Sequence, residues 1–305
     1  MTTSLQGPGL TRWNQSPLLF AALAAVLVVC WSSGFVGIRF ANEEVPVAGI
    51  LFWRSLCSGL LLLPFALRAP RITLRVLREQ ALFAFLGMFL YLGGFALAIG
   101  YRVPTGLVAL MADLVPLAIA ALSLPILGQR LTGRQWLGTG IAMAGVLGVS
   151  ADTLRLGDAP VMAYVLPILG MVSFGLATVL QKRRSMAEIP VLQSLCLQCL
   201  FAAAMFAPFA AASGGLAPPM TAHFGLALVW LVLLATFGAW SIYYLCLRLW
   251  SPVRVSAVIY LSPPVTMLWS WALFGEPLTL AMTAGLAVTL AGVWLVSVPG
   301  RSRAQ

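Results

Sequence analysis

The passage GQRLTGRQWLGTGIAMAGVLGVS, residues 128–150, occurs again in the chain as GEPLTLAMTAGLAVTLAGVWLVS, residues 275–297. The two passages align without a gap, are identical at 9 of 23 positions and lie 147 residues apart. A second pair, PVAGILFWRSLCSGLLLLPFA at 46–66 and PVLQSLCLQCLFAAAMFAPFA at 190–210, is identical at 7 of 21 positions with an offset of 144. The sequence therefore predicts an internal duplication.

The composition is that of a membrane protein. Of the 305 residues, 61% are hydrophobic and 9% are charged, whereas soluble domains carry about 25% charged residues. A formal net charge of +10 would suit a nucleic-acid-binding protein if the charges formed one solvated face. Here they are scattered in short segments between apolar runs, so no nucleic-acid partner is expected. The expected partners are membrane lipids and a small-molecule substrate.

Ten apolar runs are long enough to cross about 30 Å of hydrocarbon as helices. The predicted spans are 17–38, 47–67, 80–100, 103–127, 134–151, 159–180, 190–212, 222–247, 253–274 and 278–298. Residues 1–16 are polar and predict a flexible cytoplasmic N-terminus, and residues 299–305 form a cytoplasmic tail. The run that follows residue 16 is too long for the core of a signal peptide, so it is interpreted as a span.

The arginine and lysine residues predict that both termini are cytoplasmic. With the termini on one side, that side has 14 of the 18 basic residues and the other has three, Arg39, Arg102 and Arg155. Because each copy of the duplication, 17–151 and 152–298, contains five spans, the second copy enters the membrane from the opposite face. Inverted repeats of this kind surround a midplane site in many secondary transporters. A multi-pass protein of the cell (inner) membrane is expected.

The chain resembles the EamA family of the drug/metabolite transporter superfamily from about residue 17 to residue 298. The resemblance rests on Trp31, on Arg54 within FWRSL, and on a G-x-x-L-T-x-x-Q-x-x-G pattern that ends each unit. The residues that match this pattern are Gln135, Gly138 and Gly145 in the first unit and Glu276, Leu278, Thr279, Gly285 and Gly292 in the second. Two positions depart from the family: Gln129 replaces the usual Glu, and Asp113 is not a usual family residue.

The resemblance implies an all-α membrane protein in which two inverted five-helix EamA repeats, ten transmembrane helices in all, surround a central cavity. It also implies the export of small metabolites. Among members of the family, the YddG-type aromatic amino acid exporters are similar in general character.

Two ionisable residues lie deep within predicted spans, where charged groups are costly and are therefore candidates for function. Arg54 lies about 11 Å into the second span and Asp113 about 15 Å into the fourth, both counted from the outer face. Three interpretations stay open: a structural ion pair, a site in which Arg54 binds a carboxylate and Asp113 an ammonium group, and proton coupling through Asp113. Their counterparts in the second copy, Gln198 and Tyr260, are uncharged, so the site would be asymmetric.

Aromatic residues at helical spacing complete the predicted substrate site, because pockets for organic ligands are mostly apolar with a few polar groups. The predicted substrate-binding residues are Trp31, Arg54, Tyr91, Phe95, Asp113, Trp240, Tyr244 and Tyr260. Three prolines, Pro116, Pro263 and Pro264, would either free backbone carbonyls beside this site or kink the fourth and ninth spans.

Small residues recur every four positions in the fifth and tenth spans, a spacing that lets helix backbones approach closely. They are Gly140, Ala144 and Gly148 in the fifth span and Ala281, Gly285 and Thr289 in the tenth. These spans are expected to pack against the bundle or a partner subunit, so a homo-oligomer through them is a further expectation. The pair Cys196 and Cys199 lies in an apolar run without a second Cys or His pair, which indicates packing and not a metal site.

These features favour a secondary transporter. The sequence has no nucleophile–base arrangement, no pair of deep carboxylates and no nucleotide-binding motif, so no catalytic residue, metal or cofactor is expected. We expect the export of small amphipathic metabolites, and of aromatic amino acids first among them, by alternating access. A broad exporter of drugs or organic cations and a flippase for a lipid-linked sugar are the alternatives.

Overall fold

The protein is described by a computed structural model that covers residues 17–69, 72–112, 114–127, 132–156, 159–183, 189–217, 219–250, 255, 258–259 and 261–297. All regular structure in these ranges is helical. The helices are α1 (Pro17–Ala41), α2 (Val47–Leu67), α3 (Leu74–Gly100), α4 (Thr105–Ala112 with Val115–Leu127), α5 (Gly133–Leu156), α6 (Val165–Arg183), α7 (Val191–Ala212), α8 (Ala222–Leu249), α9 (Ser262–Phe274) and α10 (Leu280–Ser297).

Seven helical segments within the described residues are long and apolar enough to cross a membrane. They belong to α1, α2, α3, α4, α6, α7 and α8, and in α6 the segment includes the short 3-10 turn Val161–Tyr164. The chain is therefore an all-helical, multi-pass membrane protein.

α3 begins at Leu74, six residues before the predicted span, because a capping residue starts its first turn. The side chain of Thr73 accepts a hydrogen bond from the backbone N–H of Val76 at 3.3 Å. This added turn is charged, so hydropathy alone did not include it. α8 begins in the same way, since Thr221 accepts a hydrogen bond from the N–H of Phe224 at 3.1 Å. The capped start is a feature of both copies.

α3 and α8 also share a π-helical segment in their middle. The segments are Ala84–Leu90 and Leu231–Gly238, whose first residues lie 147 apart, the offset of the duplicated passage. A π-helix bonds each N–H to the carbonyl five residues earlier, and such segments occur frequently at functional sites. The duplication is thus preserved in local backbone geometry.

Breaks in α4 and before α9 lie at equivalent positions. The second piece of α4 begins at Val115 and α9 begins at Ser262, again 147 residues apart. Pro116 and Pro263 follow directly, in a first turn where an N–H has no partner within the helix, so proline is tolerated there. The ninth span was predicted as one run over 253–274, whereas in the structure the prolines start a helix and do not kink a continuous one.

α2 and α7, which are equivalent in the duplication, pack against each other and run antiparallel. At one end a Cβ on Gly49 would lie 2.8 Å from the backbone of Gly215. At the other end the side-chain N–H of Gln193 donates to the carbonyl of Ala66 at 3.2 Å. The first residues of α2 therefore face the last residues of α7.

α5 and α10 form a second antiparallel pair. A Cβ on Gly145 would lie 2.6 Å from Thr289 Oγ1, and a Cβ on Gly292 would lie 2.4 Å from the backbone nitrogen of Ala142. Helices this close need small residues at their contact, as predicted for the tenth span.

Within the chain, α5 does not pack through the face predicted for the fifth span. A Cβ on Gly140 or Gly148 would meet no atom within 4 Å, so this side of α5 points away from the bundle. α5 carries a second set of small residues, which includes Ala142 and Gly145, on another side, and this set contacts α10. The spacing of small residues could not identify the contact face, because two faces of α5 both consist of small residues.

Candidate functional site

A buried cavity of about 40 Å³ lies between α1, α2, α3 and α8. Five of the predicted substrate-binding residues line it: Trp31, Arg54, Tyr91, Phe95 and Trp240. Each of these side chains is between 3% and 6% exposed. Because one water needs roughly 10–15 Å³, the cavity as it stands accepts a few waters and is too small for an amino acid.

The remaining predicted residues do not line the cavity or lie outside the described part of the chain. Tyr244 packs behind Trp240, with ring centroids 5.7 Å apart. Asp113 and Tyr260 lie outside the described residues, so the contacts proposed for them stay predictions. The same holds for the side chain of Pro116, whose backbone alone is described.

The cavity wall belongs to a larger aromatic cluster around Trp31. The rings of Tyr91, Phe174, Trp240 and Tyr243 have centroids 5.3 to 6.4 Å from that of Trp31. Centroid separations of about 4.5–7 Å are those at which aromatic pairs attract beyond simple burial. The cluster therefore gives the site a rigid, apolar wall.

Phe174 and Tyr243 were missed by the sequence analysis. Tyr243 lies three residues after Trp240, so the helical spacing that identified Tyr244 would also have identified it. Phe174 has no aromatic residue three or four positions away on α6, and only the packing of α6 against α3 brings it into the cluster.

Arg54 is held by the π-helical segment of α8. Its Nε donates to Thr236 Oγ1 at 2.9 Å, and its Nη2 donates to the carbonyl oxygen of Ala235 at 2.9 Å. The Thr236 hydroxyl in turn donates to the carbonyl of Leu231, five residues earlier. The π segment thus supplies both acceptors, one of them a backbone carbonyl that the cation reaches directly.

The charge of Arg54 has no carboxylate partner within the described residues, where the ion pairs are Arg75–Glu79 and His223–Glu43. A buried cation costs several kcal/mol unless it is paired, and neutral acceptors offset only part of this cost. Arg54 is therefore a buried cation whose described partners do not compensate its charge.

The repeat-related residue, Gln198, reaches the equivalent helix of the other copy, but it contacts a residue before the π segment and carries no charge. Arg54 reaches from α2 to α8, and Gln198 reaches from α7 to α3, where its side-chain N–H donates to Gln80 Oε1 at 2.7 Å. Ser194 Oγ donates to the same oxygen, and Tyr244 donates to Gln198 Oε1 at 2.6 Å. This cluster is buried and hydrogen-bonded internally, so Arg54 and Gln198 have different surroundings. The asymmetry predicted for Asp113 and Tyr260 lies outside the described residues and stays a prediction.

α1 lies directly on the π segment of α8. A Cβ on Gly37 would lie 2.7 Å from a methyl group of Leu231, and a Cβ on Gly238 would lie 2.7 Å from Cys30 Sγ. The thiol of Cys30 is therefore a packing group at this contact. Among the described residues no group of three or more His, Cys, Asp or Glu side chains is arranged to bind a metal.

Comparison with known proteins identifies the family. The model of the EamA-like transporter family matches the chain twice, at residues 18–151 and 161–298. A crystal structure of a protein that is 20% identical has the same fold, with a TM-score of 0.66 and coverage of 90% of this chain and 96% of that chain.

Three relatives align over nearly their whole length. The chain is 27% identical to the uncharacterized inner membrane transporter YedA of Escherichia coli, over 94% of this chain and 93% of that protein. It is 25% identical to a "Probable amino-acid metabolite efflux pump" of Escherichia coli, over 90% and 93%. It is 30% identical to a "Probable terminal-alkyne amino-acid exporter" of Streptantibioticus cattleyicolor, over 91% and 93%.

The family model covers both copies of the duplication, and the named relatives are transporters. The chain belongs to the EamA-like transporter family, and it is accordingly a membrane transporter and not an enzyme.

Proposed function

We propose that the chain exports small amphipathic metabolites that carry a carboxylate, with aromatic amino acids as the favoured class. The observation that carries this proposal is Arg54, a buried guanidinium held by neutral acceptors at the wall of an aromatic cavity. A carboxylate matches the parallel N–H groups of a guanidinium, and aromatic walls suit an apolar side chain. Two relatives named for amino-acid export favour the same class.

Substrate binding would exchange partners on Arg54. The carboxylate oxygens replace Thr236 Oγ1 and the Ala235 carbonyl, so the donors remain satisfied and an opposite charge is gained. The cavity of about 40 Å³ must widen, because pockets for organic ligands are roughly 300–1,000 Å³. Since the released acceptors belong to α8, the exchange frees α8 to move away from α2.

The membrane arrangement of this proposal is ten spans in two inverted five-helix units, 17–151 and 152–298. α5, α9 and α10 add three spans to the seven whose length and composition suffice. The antiparallel packing of α2 on α7 and of α5 on α10 supports inversion, because equivalent helices of inverted units must run in opposite directions. The distribution of arginine and lysine supports cytoplasmic termini.

Transport in proteoliposomes tests the function directly. Labelled tryptophan, phenylalanine and threonine should be compared with a quaternary ammonium dye, for the wild type and the variant Arg54→Ala. Loss of a charged, two-bond contact should reduce amino acid transport at least about tenfold. Arg68→Ala, an exposed arginine just after the same helix, is the matched control and should leave transport unchanged.

The outcomes separate the alternatives. If dye transport persists in Arg54→Ala and no amino acid is transported by either protein, the protein is an organic-cation exporter and the proposal is wrong. If Arg54→Ala transports normally but unfolds at a lower temperature, Arg54 has only a structural role. If Arg54→Ala combined with Asp113→Asn restores the lost stability without restoring transport, the two charges form a structural pair.

A further inference from the structure

A second cavity, a groove of about 600 Å³, lies between α1, α8 and α9 on the outside of the bundle. All of its lining side chains are aliphatic or aromatic; they include Val36 and Phe40 of α1, Val229 and Leu233 of α8, and Leu273 and Phe274 of α9. On α1 these residues lie about half a turn away from Phe35 and Ile38, which line the Arg54 cavity. The two cavities are therefore on opposite sides of α1.

A cation lies at one end of the groove. The guanidinium of Arg39 is 5.8 Å from the ring centroid of Phe274, a residue of the groove wall. Its Nε is buried and has no hydrogen-bond partner among the described residues. Since Arg39 lies two residues before the end of α1, this charge is at the level of a membrane interface.

The carboxylates that follow α1 and α9 contact residues other than Arg39. Glu43 lies 3.9 Å from the side chain of His223, and Glu44 accepts a hydrogen bond from Thr221. Glu276, which follows α9, accepts a hydrogen bond from Thr105 Oγ1 at 2.9 Å. In the described part of the chain, no carboxylate therefore lies within ion-pair distance of Arg39.

We propose that the groove binds a glycerophospholipid, with the phosphate on Arg39 and one acyl chain along the groove. The apolar wall suits an acyl chain, and the guanidinium fits two phosphate oxygens. From Leu226 to Leu234 the wall follows α8 for about 12 Å, which takes the chain from the interface toward the middle of the membrane. The site has a positive charge at one end and an apolar wall along the rest of its length, and this combination distinguishes it from general lipid contact.

α1 and α8 separate the groove from the Arg54 cavity. A lipid in the groove therefore contacts these two helices from the side opposite the cavity. Gly37 lines the groove, and a Cβ on it would overlap Leu231 of the π segment. The bound chain consequently presses α1 onto the segment that holds Arg54. The lipid site does not depend on which substrate is transported.

Native mass spectrometry of the full chain in detergent, titrated with phosphatidylglycerol, tests the site. Arg39→Gln should weaken binding at least about tenfold, because a charge-assisted, bidentate contact is lost. Arg102→Gln, which removes an exposed arginine in the turn after α3, is the charge-matched control and should bind as the wild type does.

A second pair of variants tests the acyl chain. Leu233→Trp fills the groove and should abolish the bound lipid, whereas Leu245→Trp, at a similarly exposed position of α8 outside the groove, should not. This pair keeps the test valid if Arg39→Gln does not fold.

Three results would overturn the proposal. If each variant and its control lose the same amount of bound phosphatidylglycerol, the lipid is bound only through general contact with the membrane-facing surface. Binding of glycerol 3-phosphate as tightly as phosphatidylglycerol would indicate a site for a free anion without an acyl chain. If the wild type forms dimers without bound lipid and Leu233→Trp dissociates them, the groove is the contact with a second copy of the chain.

Discussion

Arg54 is the residue whose surroundings favour a ligand most strongly. It is a buried cation whose described acceptors are a hydroxyl and a backbone carbonyl, and neither carries a compensating charge. Neutral acceptors satisfy hydrogen bonds but leave most of the electrostatic cost of burial in place. In the proposed function, an entering carboxylate would supply both the hydrogen bonds and the opposite charge that Arg54 lacks among its described partners.

The first prediction at the residue scale concerns Thr236→Val. Valine preserves the shape of the side chain but removes the hydroxyl that accepts from Arg54 Nε, so thermal stability should fall. Substrate should bind about threefold to fivefold more tightly, because the carboxylate no longer displaces a bond worth about 0.6–1 kcal/mol. Thermal unfolding in detergent and substrate titration measure the two effects.

Thr289→Val is the control for this prediction. Thr289 is also a buried threonine with a hydroxyl bonded inside the membrane region, but it belongs to the contact of α10 with α5. Its replacement should lower stability and leave substrate affinity unchanged. Weaker binding by Thr236→Val would show instead that the hydroxyl contacts the substrate, which contradicts the exchange described for Arg54.

At the scale of elements, close contacts between helices decide the architecture. α1 approaches α8 at Gly37 and Gly238, and α5 approaches α10 at Gly145 and Gly292. A Cβ at any of these positions would overlap a neighbour. At Gly145 and Gly292 the overlapped atoms include backbone, so α5 and α10 would have to separate. Such contacts replace the hydrophobic driving force, which is absent between helices surrounded by lipid.

A pair of glycine substitutions tests this interpretation of α5 and α10. Gly292→Ala should destabilise the protein by about 1–3 kcal/mol, because its Cβ would lie 2.4 Å from the Ala142 nitrogen. Gly148→Ala should be neutral or slightly stabilising, since its Cβ meets nothing and alanine favours a helix by about 1 kcal/mol. Thermal unfolding of both variants is the measurement. Destabilisation by Gly148→Ala together with the loss of an oligomer would show that this face binds a second copy.

At the scale of the whole molecule, the two copies keep equivalent local features and differ in chemistry. Caps, π segments and helix breaks recur at offsets of 147 or 148 residues. One copy carries Arg54 and the other carries the neutral Gln198 at the equivalent sequence position, and the two side chains contact different parts of their partner helices. In the proposed function, two equivalent halves alternate between two openings and a single charged position defines one substrate site.

The predicted topology places the loops after α2 and α3 on opposite sides of the membrane, because α3 spans it. In a background without cysteines, Arg102→Cys should react with a membrane-impermeant maleimide in intact cells. Arg68→Cys should react only in inside-out vesicles, because arginine-rich loops are expected on the cytoplasmic side. Labelling of both positions in intact cells would contradict the orientation proposed for the first unit.

Much of this protein follows from the sequence alone. The membrane class, the approximate spans and the duplication depend on the transfer free energy of individual residues and on repeated letters, which need no knowledge of contacts. Arg54 could be named because a charge in hydrocarbon is unusual wherever its partners are, and most of its aromatic neighbours could be named from their helical spacing. Hydropathy failed where polar residues extend a helix, as at the start of α3, and where prolines begin a new helix within an apolar run, as at the start of α9.

Only the tertiary structure decided what these residues contact. Arg54 is bonded to residues 181 and 182 positions away, and these acceptors are exposed by a π segment that no local pattern indicated. The position of Phe174 and the packing face of α5 likewise depend on how each helix is rotated against its neighbours. Hydropathy along one helix specifies that it enters the membrane, but in lipid it does not specify which side meets another helix, so steric fit and hydrogen bonding between helices determine the site.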